Sequence, residues 1–170
     1  MTFPHLLGYI GTALEVSTFA STRRTYMLLA KLAADFLSSL NMLLSGNGTG
    51  AAICLLNVGR QTVFYYRVDK KWAASRLWLL FFLTATALFP IFTWAGPVSL
   101  LPAIGSCLAC LAYYMHHPLT IKLFMLPATL LWLLYGIFVQ NPPLILGNAL
   151  GLISLAVGVI REWQKMRTKA

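Results

Sequence analysis

Acidic side chains are scarce in this chain, and charged side chains of either sign are few. Only 4 of the 170 residues are Asp or Glu, and all charged residues together make up 10% of the sequence. Soluble globular domains carry about 25% charged residues. The scarcity of charge excludes such a domain, and the mean hydropathy of +0.74 indicates that lipid is the main solvent of the chain.

Motifs for catalysis, nucleotide binding and metal binding are also lacking. The chain has no recognisable Ser-His-Asp set, no HExxH and no Gly-Lys-Ser/Thr after its glycine-rich turn. Its three cysteines lie in apolar stretches, where a free thiol behaves as a small hydrophobic group. Cys107 and Cys110 have no second pair and no nearby His to complete a zinc site. We therefore expect no enzymatic activity, no bound metal and no cofactor.

Long hydrophobic runs fill the chain instead, and 59% of its residues are hydrophobic. A bilayer core about 30 Å thick needs about 20 apolar residues of helix. Seven runs of suitable length occur, separated by turn residues, at about Phe3 to Ala20, Thr25 to Ser45, Gly50 to Tyr66, Ala73 to Thr93, Val98 to Met115, Leu119 to Val139 and Leu144 to Trp163. The sequence predicts an all-α integral membrane protein with seven transmembrane helices.

Basic residues mark every second gap between these runs. They follow the first, third, fifth and seventh runs, at Arg23, Arg24, Arg67, Lys70, Lys71, Arg76, Lys122, Arg161, Lys165, Arg167 and Lys169. The other gaps and the amino-terminal segment carry none. Because basic residues are retained in the cytoplasm, the pattern predicts an amino terminus outside and a carboxy terminus inside. The net charge of +9 is then a topology signal, and we expect no nucleic-acid partner.

A weak internal repeat relates the two ends of the chain. The segment from Leu6 to Thr12 resembles that from Leu100 to Ser106, and the alignment sets Asn57 opposite Asn148. Helices one to three therefore match helices five to seven. We expect a first three-helix repeat over 1–70, a linker helix over 71–96, and a second repeat with a short cytoplasmic tail over 97–170. Since one helix joins them, the repeats are parallel, which is one of the two designs of secondary transporters.

The same features resemble known transporter families. The likeness to the SWEET, SemiSWEET and PQ-loop transporters rests on the order three plus one plus three, on His117-Pro118-Leu119-Thr120, on Pro102 and Pro127, and on Trp132 followed by Asn148. A closer resemblance, over nearly all of the chain, is to the bacterial inner-membrane family YgjV, which is thought to be a distant relative of them. It rests on Leu101-Pro102-Ala103-Ile104-Gly105, on Asn57-x-x-Arg60 and on the ending Ile160-Arg161-x-Trp163.

The resemblance implies a carrier fold in the inner membrane. In the sugar-transporting relatives an Asn from each half and a nearby Trp line the solute site, and these roles would fall on Asn57, Asn148 and Trp132. The first half departs from the pattern, because the position that matches Trp132 is Ser38 or Asn41 and neither half has a Pro-Gln pair. Sugar specificity is therefore not implied, and the solute stays open.

Four ionisable residues fall within the predicted spans: Glu15, Lys31, Asp35 and Arg60. Lys31 and Asp35 have the i, i+4 spacing of a pair on one helix face, and Arg60 shares a face with Asn57. Glu15 and Arg60 lie at comparable depth, and we expect them to form a second pair. Two interpretations stay open. These residues are buried pairs that fix helix register, with Lys31 alternatively extending to the surface; or Glu15 or Asp35 exchanges a proton coupled to solute movement and Arg60 meets an anionic solute.

The expected function is a carrier for a small polar solute, sugar-like solutes included, that works by alternating access. Its partners are then the lipid bilayer and the solute. The alternative is a multi-pass scaffold or accessory protein that transports nothing and uses its polar residues to hold helices together. The direction of the side chains separates the two, since a carrier needs Asn57, Asn148 and Trp132 to converge on one cavity.

Overall fold

The computed structural model describes residues 3–21, 23–115 and 117–167, in which each predicted hydrophobic run forms one α-helix. The helices are α1 (Phe3–Ala20), α2 (Arg24–Leu44), α3 (Gly48–Tyr66), α4 (Arg76–Phe92), α5 (Leu100–Tyr114), α6 (Pro118–Phe138) and α7 (Pro142–Arg167), with a 3-10 turn at Pro97–Ser99. No strand occurs in those ranges. The predicted all-helical fold is confirmed.

Local turn chemistry sets where the helices begin and end. Gly46 after α2 and Gly96 after α4 have φ angles of 77° and 91°, a conformation that glycine adopts without strain. Before α4 the Ser75 side chain accepts a hydrogen bond from the Leu77 N–H and caps the helix. This cap explains why α4 begins at Arg76, three residues later than the hydrophobic run that starts at Ala73.

Four of the described helices are long and apolar enough to cross a membrane. They cover Thr25–Leu44, Pro97–Tyr114, Leu119–Phe138 and Pro142–Gln164, and Arg76–Phe92 is a shorter apolar helix. Large apolar side chains stay exposed on the outside of the bundle, among them Leu77, Phe92 and Ile153. Such a surface suits lipid, which is as apolar as these side chains. The structure therefore supports a membrane protein.

The packing of the helices forms a closed ring of six. Helix α2 packs against α1 and α3, and α6 packs against α5 and α7. The two groups meet where α1 packs on α7 and where α3 packs on α5, and α4 lies against α5 and α3. The six helices other than α4 thus surround a common interior.

Glycines let the helices of the ring approach closely. A Cβ on Gly8 would lie 2.6 Å from Pro143 Cβ, and one on Gly147 would lie 2.9 Å from Thr12 Oγ1. The backbones of α1 and α7 are therefore packed closely, with no room for a side chain at either glycine. At the same interface Thr12 Oγ1 donates a hydrogen bond of 2.9 Å to the Pro143 carbonyl. A Cβ on Gly105 would lie 3.0 Å from Trp132 Cδ1, which shows a similar approach of α5 and α6. Small residues serve this purpose in membrane helices.

Lys122, one of the basic residues that mark the gaps, is buried. Its side chain is 2% exposed, and Nζ lies 3.8 Å from Glu162 Oε1 of α7. It occupies the space beside Gly158, where an added Cβ would lie 3.1 Å from Nζ. The Lys122 side chain is therefore buried between α6 and α7, whereas a basic residue that marks a gap was expected to be exposed in a loop. Lys169, another of the basic residues, lies outside the described residues.

Candidate functional site

A polar pocket lies in the interior of the ring and is lined by residues from all six of its helices. The seven residues that the sequence singled out all contribute to its wall: Glu15, Lys31, Asp35, Asn57, Arg60, Trp132 and Asn148. Ser38, Cys54, Ala109, Met125, Thr129 and Leu144 complete it. Side chains that are far apart in the sequence, from α1 to α7, thus converge on one pocket. We call it the central pocket.

The central pocket is narrow in this conformation. It encloses about 420 Å³ of empty space counted out to its opening, but the centre of a water molecule can occupy only about 20 Å³ of it. By that measure a single water molecule needs about 10–15 Å³. The pocket therefore has room for one or two waters, and it must widen before a larger solute can enter.

A second, smaller cavity continues from the central pocket towards one end of the bundle. The two share Glu15, Ser38 and Leu144, and the smaller cavity reaches Gly8 near the start of α1 and Pro143 at the start of α7. Asn41 also lines this cavity, and it takes part with Asn141 in a bridge between the helices. Asn141 Nδ2 donates to Asn41 Oδ1 at 2.9 Å, and Asn41 Nδ2 donates to the Pro4 carbonyl at 2.8 Å. These hydrogen bonds close that end of the ring.

Lys31 holds the two carboxylates of the central pocket together. Its Nζ donates a hydrogen bond to Glu15 Oε1 and lies 3.1 Å from Asp35 Oδ1. The Lys31 side chain is buried and does not extend to the surface. Glu15 meets Lys31 and not Arg60, contrary to the pair expected from depth alone. The reason is that α1 packs along α2, whereas the side chain of Arg60 turns towards α5.

Arg60 is a buried cation that is only partly hydrogen-bonded. The residue is 1% exposed, and its Nη1 donates to the Ser106 carbonyl of α5 at 2.9 Å. Its guanidinium carbon lies 5.7 Å from the centre of the Tyr113 ring. Within the described part of the chain, Nε and Nη2 of Arg60 have no hydrogen-bond partner. Burying a charge without full pairing is costly, which makes Arg60 a candidate for binding.

The two asparagines that the predicted repeat sets opposite each other both line the pocket. Asn57 Nδ2 donates to Ser106 Oγ at 3.2 Å, while its Oδ1 has no partner among the residues that the structure describes. Asn148 Nδ2 donates to the Leu144 carbonyl of its own helix at 2.8 Å. An amide both donates and accepts, so the pair can bind hydroxyl, carboxylate or ammonium groups.

Trp132 forms part of the apolar wall of the pocket. Its ring lies edge-to-face with Tyr135, with 5.8 Å between the ring centres, and it packs closely at Gly105. These contacts hold the indole in place, and Trp132 also lines the pocket. A flat apolar surface of this kind can pack against the carbon atoms of a solute.

Comparison with known families decides to which group of proteins the chain is related. The model of a family described as bacterial inner membrane protein, Imp-YgjV, matches residues 2–166. The chain belongs to the YgjV family. This match confirms the resemblance to the YgjV family and fits a protein of the bacterial inner membrane. No curated protein and no solved structure matches the chain.

In this YgjV family member, three further buried polar residues were not predicted from the sequence: Ser106, Gln61 and Tyr113. Ser106 binds both Asn57 and Arg60, through its hydroxyl and its carbonyl. Gln61 is fully buried, and within the described ranges neither its amide atoms nor Tyr113 Oη has a hydrogen-bond partner. Gln61 lies four residues after Asn57, a spacing that places both on one helix face and could have indicated it.

Proposed function

We propose that this YgjV family protein carries a small polar solute across the inner membrane by alternating access. The observation that supports the proposal most is the central pocket, in which charged and amide side chains from four helices converge inside an apolar bundle. Ionisable groups in a membrane interior are costly, and they usually mark the path of a solute or an ion. A position between helix bundles, near the middle of the helices, is where secondary transporters bind their solutes.

The packing of the helices supports a proposal of seven spans in two parallel three-helix repeats. A rotation that exchanges α1, α2 and α3 with α5, α6 and α7 maps the α1–α7 contact onto the α5–α3 contact, and both contacts occur. Thr12 and Ser106 stand at matching positions of the repeat. Each forms a hydrogen bond with a residue of the other half: Thr12 with Pro143, and Ser106 with Asn57. With the basic residues inside, we place the amino terminus outside and the carboxy terminus in the cytoplasm.

The proposed transport cycle alternates between openings at the two ends of the ring. At the proposed outer end, the hydrogen bond between Asn141 and Asn41 joins one half to the other. At the opposite end Arg67 donates to the Tyr114 carbonyl at 2.5 Å, which ties α3 to α5. Both ends are bridged in this conformation, in keeping with a pocket too narrow for a larger solute. Opening at either end then requires the hydrogen bond at that end to break: Asn141–Asn41 at the outer end or Arg67–Tyr114 at the opposite end.

The proposal includes no enzymatic activity, metal or cofactor, and its partners are the lipid bilayer and the solute. Since the sequence has no ATP-binding motif, movement of the solute is either facilitated or coupled to an ion gradient. Glu15 and Asp35 are the groups that can exchange a proton in a coupled cycle. Both lie in the central pocket, where a proton and a solute can influence each other's binding.

A membrane scaffold is the second candidate function. It is favoured by the hydrogen bonds that polar residues make between helices, such as those from Asn57 and Arg60 to Ser106. Polar residues that only join helices would make the same contacts. A scaffold has no need of a path through the bundle, so uptake of solute separates the two candidates.

Uptake into liposomes that contain the purified protein tests the carrier. We would compare the native chain with Asn148→Leu, using labelled sugars, polyols, amino acids and small carboxylates. Leucine has the same branched arrangement of side-chain heavy atoms as asparagine but cannot hydrogen-bond, so we expect Asn148→Leu to lower uptake to the leak of empty liposomes. Asn47→Leu makes the same change in the turn before α3, and we expect it to take up solute at the native rate.

Two results would count against this proposal. Leak-level uptake of every solute by folded native protein would contradict the carrier and favour the scaffold. Native uptake by Asn148→Leu would leave a carrier but remove Asn148 from its site.

A further inference from the structure

The open hydrogen-bond donors of Arg60 have a definite geometry. Nη1 is bound to the Ser106 carbonyl, and the two nitrogens left without a partner in the described residues are Nε and Nη2. These two nitrogens lie on one edge of the guanidinium, with N–H bonds that run nearly parallel. Such an edge matches the two oxygens of a carboxylate and binds them through two parallel hydrogen bonds. A sugar hydroxyl, in contrast, has a single uncharged oxygen and cannot place one oxygen opposite each of the two donors.

The guanidinium is also held in place before any solute arrives. The Ser106 carbonyl fixes one end of it, and the Tyr113 ring lies 5.7 Å away from its central carbon. Arg60 lines the central pocket and is 1% exposed, so water competes little for its open edge. A donor pair that is already oriented and desolvated binds a carboxylate with little further ordering.

The charges of the pocket leave Arg60 as the cation available to an anion. Lys31 is bound by both Glu15 and Asp35, whereas Arg60 has no salt bridge among the residues described. With both carboxylates ionised, Glu15, Lys31 and Asp35 sum to one negative charge, and Arg60 brings the pocket to zero. A lone anion would then leave one negative charge in a medium of low dielectric, which is unfavourable. The anion must therefore bring a positive charge with it.

Two acceptors beside Arg60 can receive that positive charge. Asp35 and Asn57 both line the pocket, and within the described ranges neither Asp35 Oδ2 nor Asn57 Oδ1 has a hydrogen-bond partner. An ammonium group on the solute itself can bind them, as in an amino acid. A simple carboxylate has no ammonium group. For such a solute, a proton taken up by Asp35 or Glu15 adds the same positive charge to the pocket. In both cases the group that Arg60 recognises is a carboxylate.

We propose that the solute of the central pocket is a small carboxylate-bearing compound whose carboxylate binds the Nε–Nη2 edge of Arg60. This inference rests on the proposed carrier function and names its substrate class. It replaces a neutral sugar, which offers no carboxylate to the two parallel donors of Arg60, and it gives a role to the basic side chain of the pocket that forms no salt bridge among the described residues.

The test compares uptake of three labelled mixtures into liposomes: amino acids, small carboxylates from acetate to citrate, and neutral sugars. We expect the native protein to take up one or both carboxylate-bearing mixtures and to leave the sugars at leak level. Uptake of amino acids without a pH gradient indicates that the solute supplies its own ammonium group. Uptake of simple carboxylates only under an inward proton gradient indicates that the protein supplies the charge by protonation.

Arg60→Lys keeps the charge of the residue and removes the fork, so it isolates the two parallel hydrogen bonds. We expect it to lower carboxylate uptake at limiting concentration by at least about tenfold. The matched control is Arg76→Lys at the exposed start of α4, which should transport like the native chain. Gel filtration shows whether Arg60→Lys folds. If it does not fold, the native protein is tested with amides of the transported solutes as competitors. These amides should inhibit uptake of the labelled solute at least about tenfold more weakly than the carboxylates do.

Three results would overturn the inference. Uptake of sugars with both carboxylate-bearing mixtures at leak level would exclude a carboxylate solute but leave the carrier. Native uptake by folded Arg60→Lys, or equal competition by the amides, would remove Arg60 as the receptor. Leak-level uptake of all three mixtures would contradict the carrier itself, and the inference would fail with it.

Discussion

Lys31→Met is expected to be among the most destabilising single changes in the protein, lowering the free energy of unfolding by about 3–5 kcal/mol. Lys31 is the cation that both Glu15 and Asp35 bind, and it is buried with them. Methionine fills a similar volume but leaves two carboxylates facing each other without a positive charge. Thermal unfolding in detergent, followed by tryptophan fluorescence, measures the loss.

The control for this prediction removes the charges together. The triple variant with Lys31→Met, Glu15→Gln and Asp35→Asn should recover most of the lost stability, because neutral amides can be buried at lower cost than unpaired carboxylates. Lys71→Met, at an exposed position, should change the unfolding temperature little. A single Lys31→Met variant as stable as the native chain would show that the three charges do not form the buried cluster seen in the structure.

Trp132→Ala is expected to cost about 3 kcal/mol of stability and to abolish uptake. The indole packs against Tyr135 and against the backbone at Gly105, and it forms a wall of the central pocket. Its removal leaves a cavity between α5 and α6 and takes away the surface on which a solute would rest. Unfolding temperature and uptake, measured on the same preparation, give the two effects.

Variants of other aromatic positions separate packing from solute contact. Trp132→Phe keeps an aromatic ring at the site, so most of the stability and part of the uptake should be retained. Trp94→Ala removes an exposed tryptophan from the segment after α4 and should leave both quantities near their native values. Full uptake by Trp132→Ala would exclude contact between the indole and the solute.

The helices could be predicted from the sequence because each one obeys two local rules. A span needs a long apolar run, and its ends need residues that stop a helix. The predicted range from Phe3 to Ala20 coincides with α1, and Pro142 and Pro143 begin α7 where the sixth gap ends. The start of α4 differs because the Ser75 side chain caps the helix at that point, and α7 continues to Arg167, beyond the run that ends at Trp163. Local chemistry was therefore sufficient for the number and type of the helices.

The partners of the buried charges could not be predicted in the same way. Depth in the membrane follows from sequence position, but the rotation of each helix about its axis depends on the neighbours against which it packs. Glu15 and Arg60 were expected to pair because they lie at a similar depth. The packing of α1 along α2 instead places Glu15 next to Lys31. Lys122 marks a gap in the sequence, but it binds Glu162 beneath the surface.

The residues of the central pocket were found because polar groups are conspicuous in apolar runs. Asn57, Asn148 and the four ionisable residues stand out in this way, and the structure places all of them together. Ser106 was missed because serine is common in membrane helices and gives no such contrast. Its position opposite Thr12 in the proposed repeat becomes a signal only once the contacts of both residues are known.

A native cysteine allows the most direct test of the central claim that the pocket opens to both sides of the membrane. Cys54 lines the central pocket and is 3% exposed, so a reagent reaches it only when the bundle opens. A variant with Cys107→Ala and Cys110→Ala retains Cys54 as the one cysteine of the chain. A charged, membrane-impermeant thiol reagent can then be added to either side of the membrane. A control that retains only Cys107, which lies between α5 and α4 next to the Leu83 carbonyl, reports reaction away from the pocket.

An alternating carrier predicts that Cys54 is modified from each side, that a transported solute slows the reaction, and that Cys107 stays unmodified from both sides. Cys54 that reacts from neither side over hours, yet reacts fully once the protein is unfolded, would mean that the pocket is a sealed interior and that the protein is not an alternating-access carrier.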